Sequence, residues 1–156
     1  MPSDILVPFQ TKALFTITLA SLATAAARQS TLISNTGKFP AAIIHLRIKS
    51  GAVAPTAGLA YEVYLIRGDD AASSTYRTDN AGATDAAITI ENATLLGTIV
   101  VTASANKNFY RELDTAHLGP LGVEWGIAVK NASGQALSTT EADHFKGYAT
   151  YNLQTS

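Results

Sequence analysis

Hydrophobic and polar residues alternate in short bursts along this chain, and the bursts are separated by Gly, Pro, Asn, Asp and Ser. Alternation at every second residue puts successive side chains on opposite faces of a strand, whereas a sustained period of roughly 3.6 residues marks a helix. Almost no stretch carries the helical period, so the chain reads as all-β. The first segment runs from about Thr11 to Leu22, with Phe15, Ile17 and Leu19 alternating with Thr16 and Thr18; a bend of small residues (Ala23 to Ala27) leads to a second at Arg28 to Ser34. Asn35-Thr36-Gly37 is a turn. After Pro40, the run AAIIHLRIKSG places Ile44, Leu46 and Ile48 on one face and Ile43, His45, Arg47 and Lys49 on the other, the pattern of a core strand with a wet outer face.

Gly51 to Gly58 makes a loop, and Leu59 to Arg67 resumes a strand with Tyr61, Val63 and Leu65 on one side. Its other side holds Glu62 but also Tyr64 and Ile66, so that face is either covered by a loop or offered to a partner. Gly68 to Ala87 is the longest irregular stretch. From Asp69 to Glu91 it holds Asp69, Asp70, Asp79, Asp85 and Glu91 against Arg77 alone, the composition of an acidic surface loop. Ile88 to Ile90 is expected to be a short strand, Asn92 to Thr94 a turn, and Leu95 to Ala103, the most continuously apolar segment, a central strand. Phe109 to Leu113 alternates again, and Gly119 to Gly122 is a turn. Val123, Trp125, Ile127 and Val129 face one way, opposed by Glu124, Gly126, Ala128 and Lys130. Asn131 to Gly134 closes that strand, Ser138 to Ala142 suits a brief helical turn, and Phe145 to Leu153 forms the last strand. Eight or nine antiparallel strands at this spacing imply a single-domain β-sandwich, most economically a jelly roll. Residues 11–156 make the sandwich, and residues 1–10, with Pro2 and Pro8, read as an extended N-terminal arm. No internal repeat suggests a solenoid or propeller.

Lys12 to Ala27 (KALFTITLASLATAAA) imitates a secretory leader, with a lysine, an apolar run, and Ala25 and Ala27 in an A-x-A arrangement. Thr16, Thr18 and Ser21 interrupt the run at strand periodicity, which favours a first strand over a leader. No run approaches the ~18–20 apolar residues of a membrane span. The expectation is a soluble, unprocessed protein.

The chain has 156 residues, about one domain's worth. Hydrophobic residues make up 47% and charged residues 15%, against roughly 25% charged in ordinary domains, which excludes intrinsic disorder. Eleven basic and twelve acidic residues leave a net charge of -1, with no electrostatic footprint for nucleic acid or an anionic membrane. A near-neutral surface associates readily, and a chain rich in Ala and Thr presents thin, weakly charged sheet faces. The absence of cysteine excludes a disulfide framework, thiolate metal sites and a cysteine nucleophile.

Candidate chemistry is sparse. His45, His117 and His144 lack the spacing of a triad or metal cluster; Asp143 and His144, adjacent on extended chain, point to opposite faces, and His117 follows Asp114 by three residues. Nucleotide loops and G-x-S-x-G are missing. Asp69-Asp70 fits solvated charges better than a glycosidase pair. Asp79-Asn80-Ala81-Gly82 with Asp85 offers oxygen ligands but misses the alternate-position spacing of a calcium loop. Trp125, the lone tryptophan, could form a sugar platform, yet its in-phase neighbours Val123, Ile127 and Val129 place it in the core. Asn92-Ala93-Thr94 and Asn131-Ala132-Ser133 match the glycosylation sequon and are better read as turns. No catalytic, cofactor-binding or metal-binding residue is assigned, and no cofactor is expected.

The segments Asp79 to Val101 (DNAGATDAAITIENATLLGTIVV), Ala105 to Tyr110 (ANKNFY), His117 to Gly122 (HLGPLG) and Glu124 to Leu137 (EWGIAVKNASGQAL), with Arg28 to Leu32 and Tyr61 to Leu65, resemble a family of small virion structural proteins of tailed bacteriophages. The resemblance covers most of the chain after Arg28 and contains turns and strands rather than catalytic motifs. It implies a jelly-roll-like sandwich that is not an enzyme, located in the virion as a capsid decoration or cement protein or used elsewhere in the particle. Its partner would be the major capsid protein, bridged by a homotrimer or dimer, with the N-terminal arm and the Gly68–Ala87 loop as contact regions. The alternative is a receptor- or carbohydrate-binding module of a tail or fibre, which an exposed Trp125 would favour and a buried one disfavour.

Overall fold

The structure, a computed structural model, describes residues 5–69, 76–152 and 154–155. Asp70, Leu153 and the first four residues of the expected arm, Pro2 among them, lie outside the described residues. In chain order the strands are β1 (Ile5–Leu6), β2 (Ala13–Leu14), β3 (Ala27–Gln29), β4 (Ile33–Ser34), β5 (Ala41–Lys49), β6 (Ala60–Gly68), β7 (Ala86–Ala87), β8 (Thr94–Val100), β9 (Asn108–Asp114), β10 (Glu124–Ala132), β11 (Phe145–Tyr151) and β12 (Gln154–Thr155). Among the described residues the helical elements are short 3-10 turns at Thr78–Asn80, Ala116–Leu118 and Glu141–Asp143.

Two antiparallel sheets pack face to face. One has the order β7-β3-β10-β6-β8, with β4 also on β10; the other is β2-β11-β5-β9. If β3 and β4 are counted as one interrupted strand and β1, β7 and β12 are set aside, the chain-order positions run second–seventh–fourth–fifth in one sheet. In the other they run first–eighth–third–sixth. This is the jelly-roll order, two Greek keys wound together.

The alternation in the sequence explains the core. Ile44, Leu46 and Ile48 of β5 and Phe109 and Leu113 of β9 face Tyr61, Val63 and Leu65 of β6 and Trp125, Ile127 and Val129 of β10, all buried. Trp125 is 0% exposed and meets Phe15 and Tyr148 edge-on, with ring centroids 5.5 and 5.2 Å away. A fully buried side chain of this size contributes on the order of 1.5–3 kcal/mol.

The segment expected as a strand over Thr11–Leu22 keeps its alternating burial but is paired as a strand only at Ala13–Leu14. Beyond it the chain crosses from one sheet to the other. Phe15 N–H donates to the Lys146 carbonyl of the β5 sheet, and the Thr16 carbonyl accepts from Thr31 N–H beside the β10 sheet. Phe15, Ile17 and Leu19 enter the core between the sheets.

The second expected strand is likewise broken. Between β3 and β4, Ser30 bulges toward β10, its N–H donating to the Ile127 carbonyl and its Oγ accepting from Ile127 N–H. Gly126 makes the room: a Cβ there would lie 2.6 Å from Ser30 Oγ and 2.8 Å from Leu32 Cδ2.

Two further expectations are corrected. The strand placed at Ile88–Ile90 lies earlier, at Ala86–Ala87, because Ala86 and Ala87 pair with Gln29 and Arg28. The central strand placed at Leu95–Ala103 is instead the edge strand β8, and β10 is central, flanked by β6 on one side and β3 with β4 on the other. The apolar second face of β6 is covered from within the chain. Ile66 and Ala128 pack with Ala81, Ile88, Ile90 and Ala93 of the segment that follows the Gly68 turn.

Candidate functional site

His144, Asp79, Asp85 and Asn131, among the residues the sequence marks for chemistry, are tied into the fold by ordinary hydrogen bonds. His144 is buried. Its Nδ1 accepts Lys49 N–H at 3.3 Å and its Nε2 lies 3.4 Å from the Ser138 carbonyl, which assigns the proton to Nε2. Burial pushes its pKa below the ordinary histidine value, with the Ser138 carbonyl and nearby carboxylates opposing the shift. Ser138 Oγ donates to Asp143 Oδ2 at 2.6 Å, and Lys49 Nζ donates to the same oxygen at 3.0 Å. These two bonds hold the Asp143 carboxyl below the usual range. A nucleophile, however, must be hydrogen-bonded to its base. Here the Ser138 hydroxyl is committed to Asp143, while among the described residues the His144 ring hydrogen-bonds to backbone groups.

Glu141 completes this knot. Its Oε2 accepts the N–H groups of Leu19 and Ala20 at 2.8 and 2.7 Å, and its Oε1 pairs with Lys146 Nζ. Burial would raise its pKa, but the bonds from Lys146 and the two backbone amides outweigh that and lower it. Arg47 donates to the carbonyls of Asp143 and Ala142 at 3.2 and 3.1 Å. His45 stands on the outer face of β5 with Nδ1 3.3 Å from Glu112 Oε2, and His117 is exposed on its 3-10 turn.

The acidic stretch folds back on the sandwich. Asp79 accepts the backbone N–H groups of Glu91, Asn92 and Ala93 at 3.2, 2.5 and 3.0 Å. Asp85 accepts from Thr18 N–H at 3.0 Å, Thr18 Oγ1 at 2.6 Å and Arg28 Nε at 2.5 Å. Burial opposes ionisation of Asp85, yet the bonds from Arg28 and Thr18 win and keep its pKa low. Calcium needs several oxygens converging on one point. Asp79 and Asp85 instead serve separate groups of donors, and among the described residues no three His, Asp or Glu side chains converge on a metal position. Gln29, buried beneath the stretch, donates to the Gly82 and Thr84 carbonyls and accepts from Gly82 N–H.

Asn131 of the second sequon is buried. Its Nδ2 donates to the Leu22 and Gln135 carbonyls and its Oδ1 accepts from Ser133, so it braces a turn. Trp125 Nε1 has no hydrogen-bond partner among the described residues, in keeping with a purely apolar role.

What remains for a partner lies on the surface. β1 and β12 pair Ile5 with Thr155 and Leu6 with Gln154 in a two-stranded ribbon outside both sheets. The ribbon continues into the sandwich through Gln10 N–H, which donates to the Thr150 carbonyl, and through Phe9 bridging Tyr151. Val7 and Phe9 are 42% and 57% exposed along this path. The prolines of the sequence mark this stretch as an extended arm without showing that residues 154–155 would be its partner.

On the outer face of the β5 sheet, Phe145, Arg47 and Tyr110 stand in one cross-strand row. With His45 and Glu112 they line a groove of about 420 Å³. Gly147 lets the Phe145 ring lie across it, 2.8 Å from where a Cβ would stand, and Lys12 Nζ sits 4.9 Å from the ring centroid. Comparison with known proteins finds no matching family model and no matching curated relative.

Proposed function

We propose that this chain is a non-enzymatic structural subunit of a virion, a decoration or cement protein that binds the outside of a phage major capsid shell. The observation that carries this reading is the terminal ribbon. A two-stranded ribbon is marginal by itself in water, and this one leaves its sandwich with Val7 and Phe9 uncovered. Such an element gains stability by lying on another surface. The rest of the sandwich supplies a rigid body of low charge, and the groups that resemble a catalytic set are wired into its backbone. Repetition over a lattice makes modest contacts effective, and binding only the mature shell shifts its equilibrium against opening.

The test is co-sedimentation of the full chain, and of a chain lacking Met1–Leu6, with empty mature capsids. The full chain is expected to saturate the particles and raise their disruption temperature, and the truncated chain to bind more weakly while keeping its β-sheet circular dichroism. Equal occupancy by both chains removes the ribbon from the interface, and no sedimentation of the full chain overturns the capsid reading.

A receptor- or carbohydrate-binding role loses Trp125, which is inside the core. The groove between Phe145 and Tyr110 is the one observation that favours it. Glycan-array binding abolished by Tyr110→Ala would support that role over the capsid reading.

A further inference from the structure

We propose that β8 is a self-pairing edge, through which two copies of this chain join antiparallel and continue the β10 sheet across a two-fold axis. The inference stands on edge geometry and does not depend on the capsid reading.

An open strand edge presents unpaired N–H and C=O groups, and proteins blunt it with short strands, charges or bulges. Among the described residues, three of the four edges of the two packed sheets are blunted. β7 and β2 are two residues long, and β9 carries Arg111, Glu112 and Asp114, all exposed. The fourth edge, β8, is seven residues long and uncharged, and the sequence holds no charged residue from Asn92 through Asn106. Leu95 and Val100 on it are 47% and 62% exposed.

One device does act on this edge. The pairing of β6 with β8 shifts register between Val63 and Tyr64, leaving Leu96 as an extra residue. The bulge confines the straight edge to Gly97–Val100, and there the open groups can be assigned. Val101 N–H donates inward to the Leu59 carbonyl at 2.9 Å. Direction alternates along a strand, so Ile99 also bonds inward to β6, and Thr98 and Val100 turn their N–H and C=O groups outward. Those groups are self-complementary. With Thr98 of one copy opposite Val100 of the other, and the axis passing at Ile99, all of them pair. An uncharged strand meets no like-charge repulsion when it faces itself, and a two-fold interface uses one patch twice.

The test is sedimentation velocity of the full chain over a concentration series. A species of twice the chain mass is expected to grow with concentration. Thr98→Pro removes an outward donor while leaving the β6 ladder intact, and Val100→Lys charges the edge; each is expected to weaken dimerisation roughly tenfold or more, whereas Glu112→Lys on β9 leaves it unchanged. Should either variant fold poorly by circular dichroism, the cysteine-free background permits a second measurement. Thr98→Cys/Val100→Cys is expected to form disulfide-linked dimers on oxidation, through the two residues set opposite each other. A wild-type monomer at every concentration overturns the proposal, as does undiminished dimerisation of the folded β8 variants. A monomer that loses capsid binding when β8 is altered places a shell strand on this edge and likewise overturns self-pairing.

Discussion

Arg77 Nε donates to Glu124 Oε1 at 2.5 Å, and Glu124, on the central strand β10, is 3% exposed. This pair fastens the stretch after Gly68 onto the outer face of the β10 sheet. It also explains Gly68, where a Cβ would lie 2.2 Å from Glu124 Oε1. The Glu124 hydrogen bond pushes the Arg77 pKa up. Arg77→Ala would leave a buried carboxylate unpaired and is expected to cost about 3 kcal/mol in urea unfolding. Arg77→Met/Glu124→Leu, which removes both charges, is expected to recover most of that loss.

Gly126 is the position where β10 admits the Ser30 bulge. Gly126→Ala forces Ser30 Oγ and Leu32 Cδ2 away from the new methyl group. The expected loss is about 1–3 kcal/mol, measured as a lower urea midpoint with an unchanged slope. A stability equal to wild type would show that the bulge yields without strain.

Stability should fall with acid in two stages. His144 has a folded pKa below its ordinary 6.5, because burial disfavours the charged form. The unfolded chain therefore takes up a proton that the folded chain resists, and stability drops as pH falls below about 6.5. Asp85, Glu141 and Asp143 have folded pKa values below their ordinary 3.8–4.5, so their contribution is present above that range and is lost as pH falls below it through the lowered folded values. Urea midpoints measured from pH 8 to pH 3 should show both stages in the wild type. His144→Asn should abolish the upper stage and leave the lower one.

Trp125→Ala should cost roughly 3–5 kcal/mol, the range for emptying an aromatic site in a core. Trp125→Phe should cost distinctly less, because the indole N–H makes no hydrogen bond that could be lost. The emission of Trp125 should be blue-shifted, resist iodide quenching and stay constant during saccharide titration. Quenching at the rate of free tryptophan would contradict the buried position.

Much of the fold is legible in the residue pattern because burial follows alternation wherever one face of a strand is wet. β5, with Ile44, Leu46 and Ile48 opposed by His45, Arg47 and Lys49, is the clearest case, and the core face of β10 from Trp125 to Val129 is another. The same reasoning misjudged which strand is central. Leu95 to Ala103 looks buried on both sides because it is continuously apolar, yet Leu95 and Val100 face solvent from an edge. β10 looks half-wet because Glu124, Gly126 and Ala128 oppose its core face. Glu124 and Ala128 are buried by the segment from Arg77 to Ala93 and Gly126 by Ser30 and Leu32, and local alternation carries no trace of so distant a cover.

The acidic loop was legible as composition but not as contacts. Asp79 and Asp85 read as members of an acidic surface loop with the oxygens but not the spacing of a calcium site, whereas Asp79 holds three backbone amides and Asp85 reaches Thr18, 67 residues away. The extended segment around Thr18 shows the same limit from the other side. Its alternation foretold that Phe15, Ile17 and Leu19 would be buried, but not that Asp85 and Glu141 would replace a neighbouring strand as acceptors for its amides.

By itself the sequence determined the all-β class, the turns, the core faces of the long strands and the lack of any local catalytic motif, because each of these depends on residues within about one strand length. The tertiary structure decided strand order, the sheet edge left open, the pairing of the two termini and the fate of every buried charge. Those outcomes depend on contacts between residues far apart in the chain, whose free energy is gained only once the sheets have closed on one another.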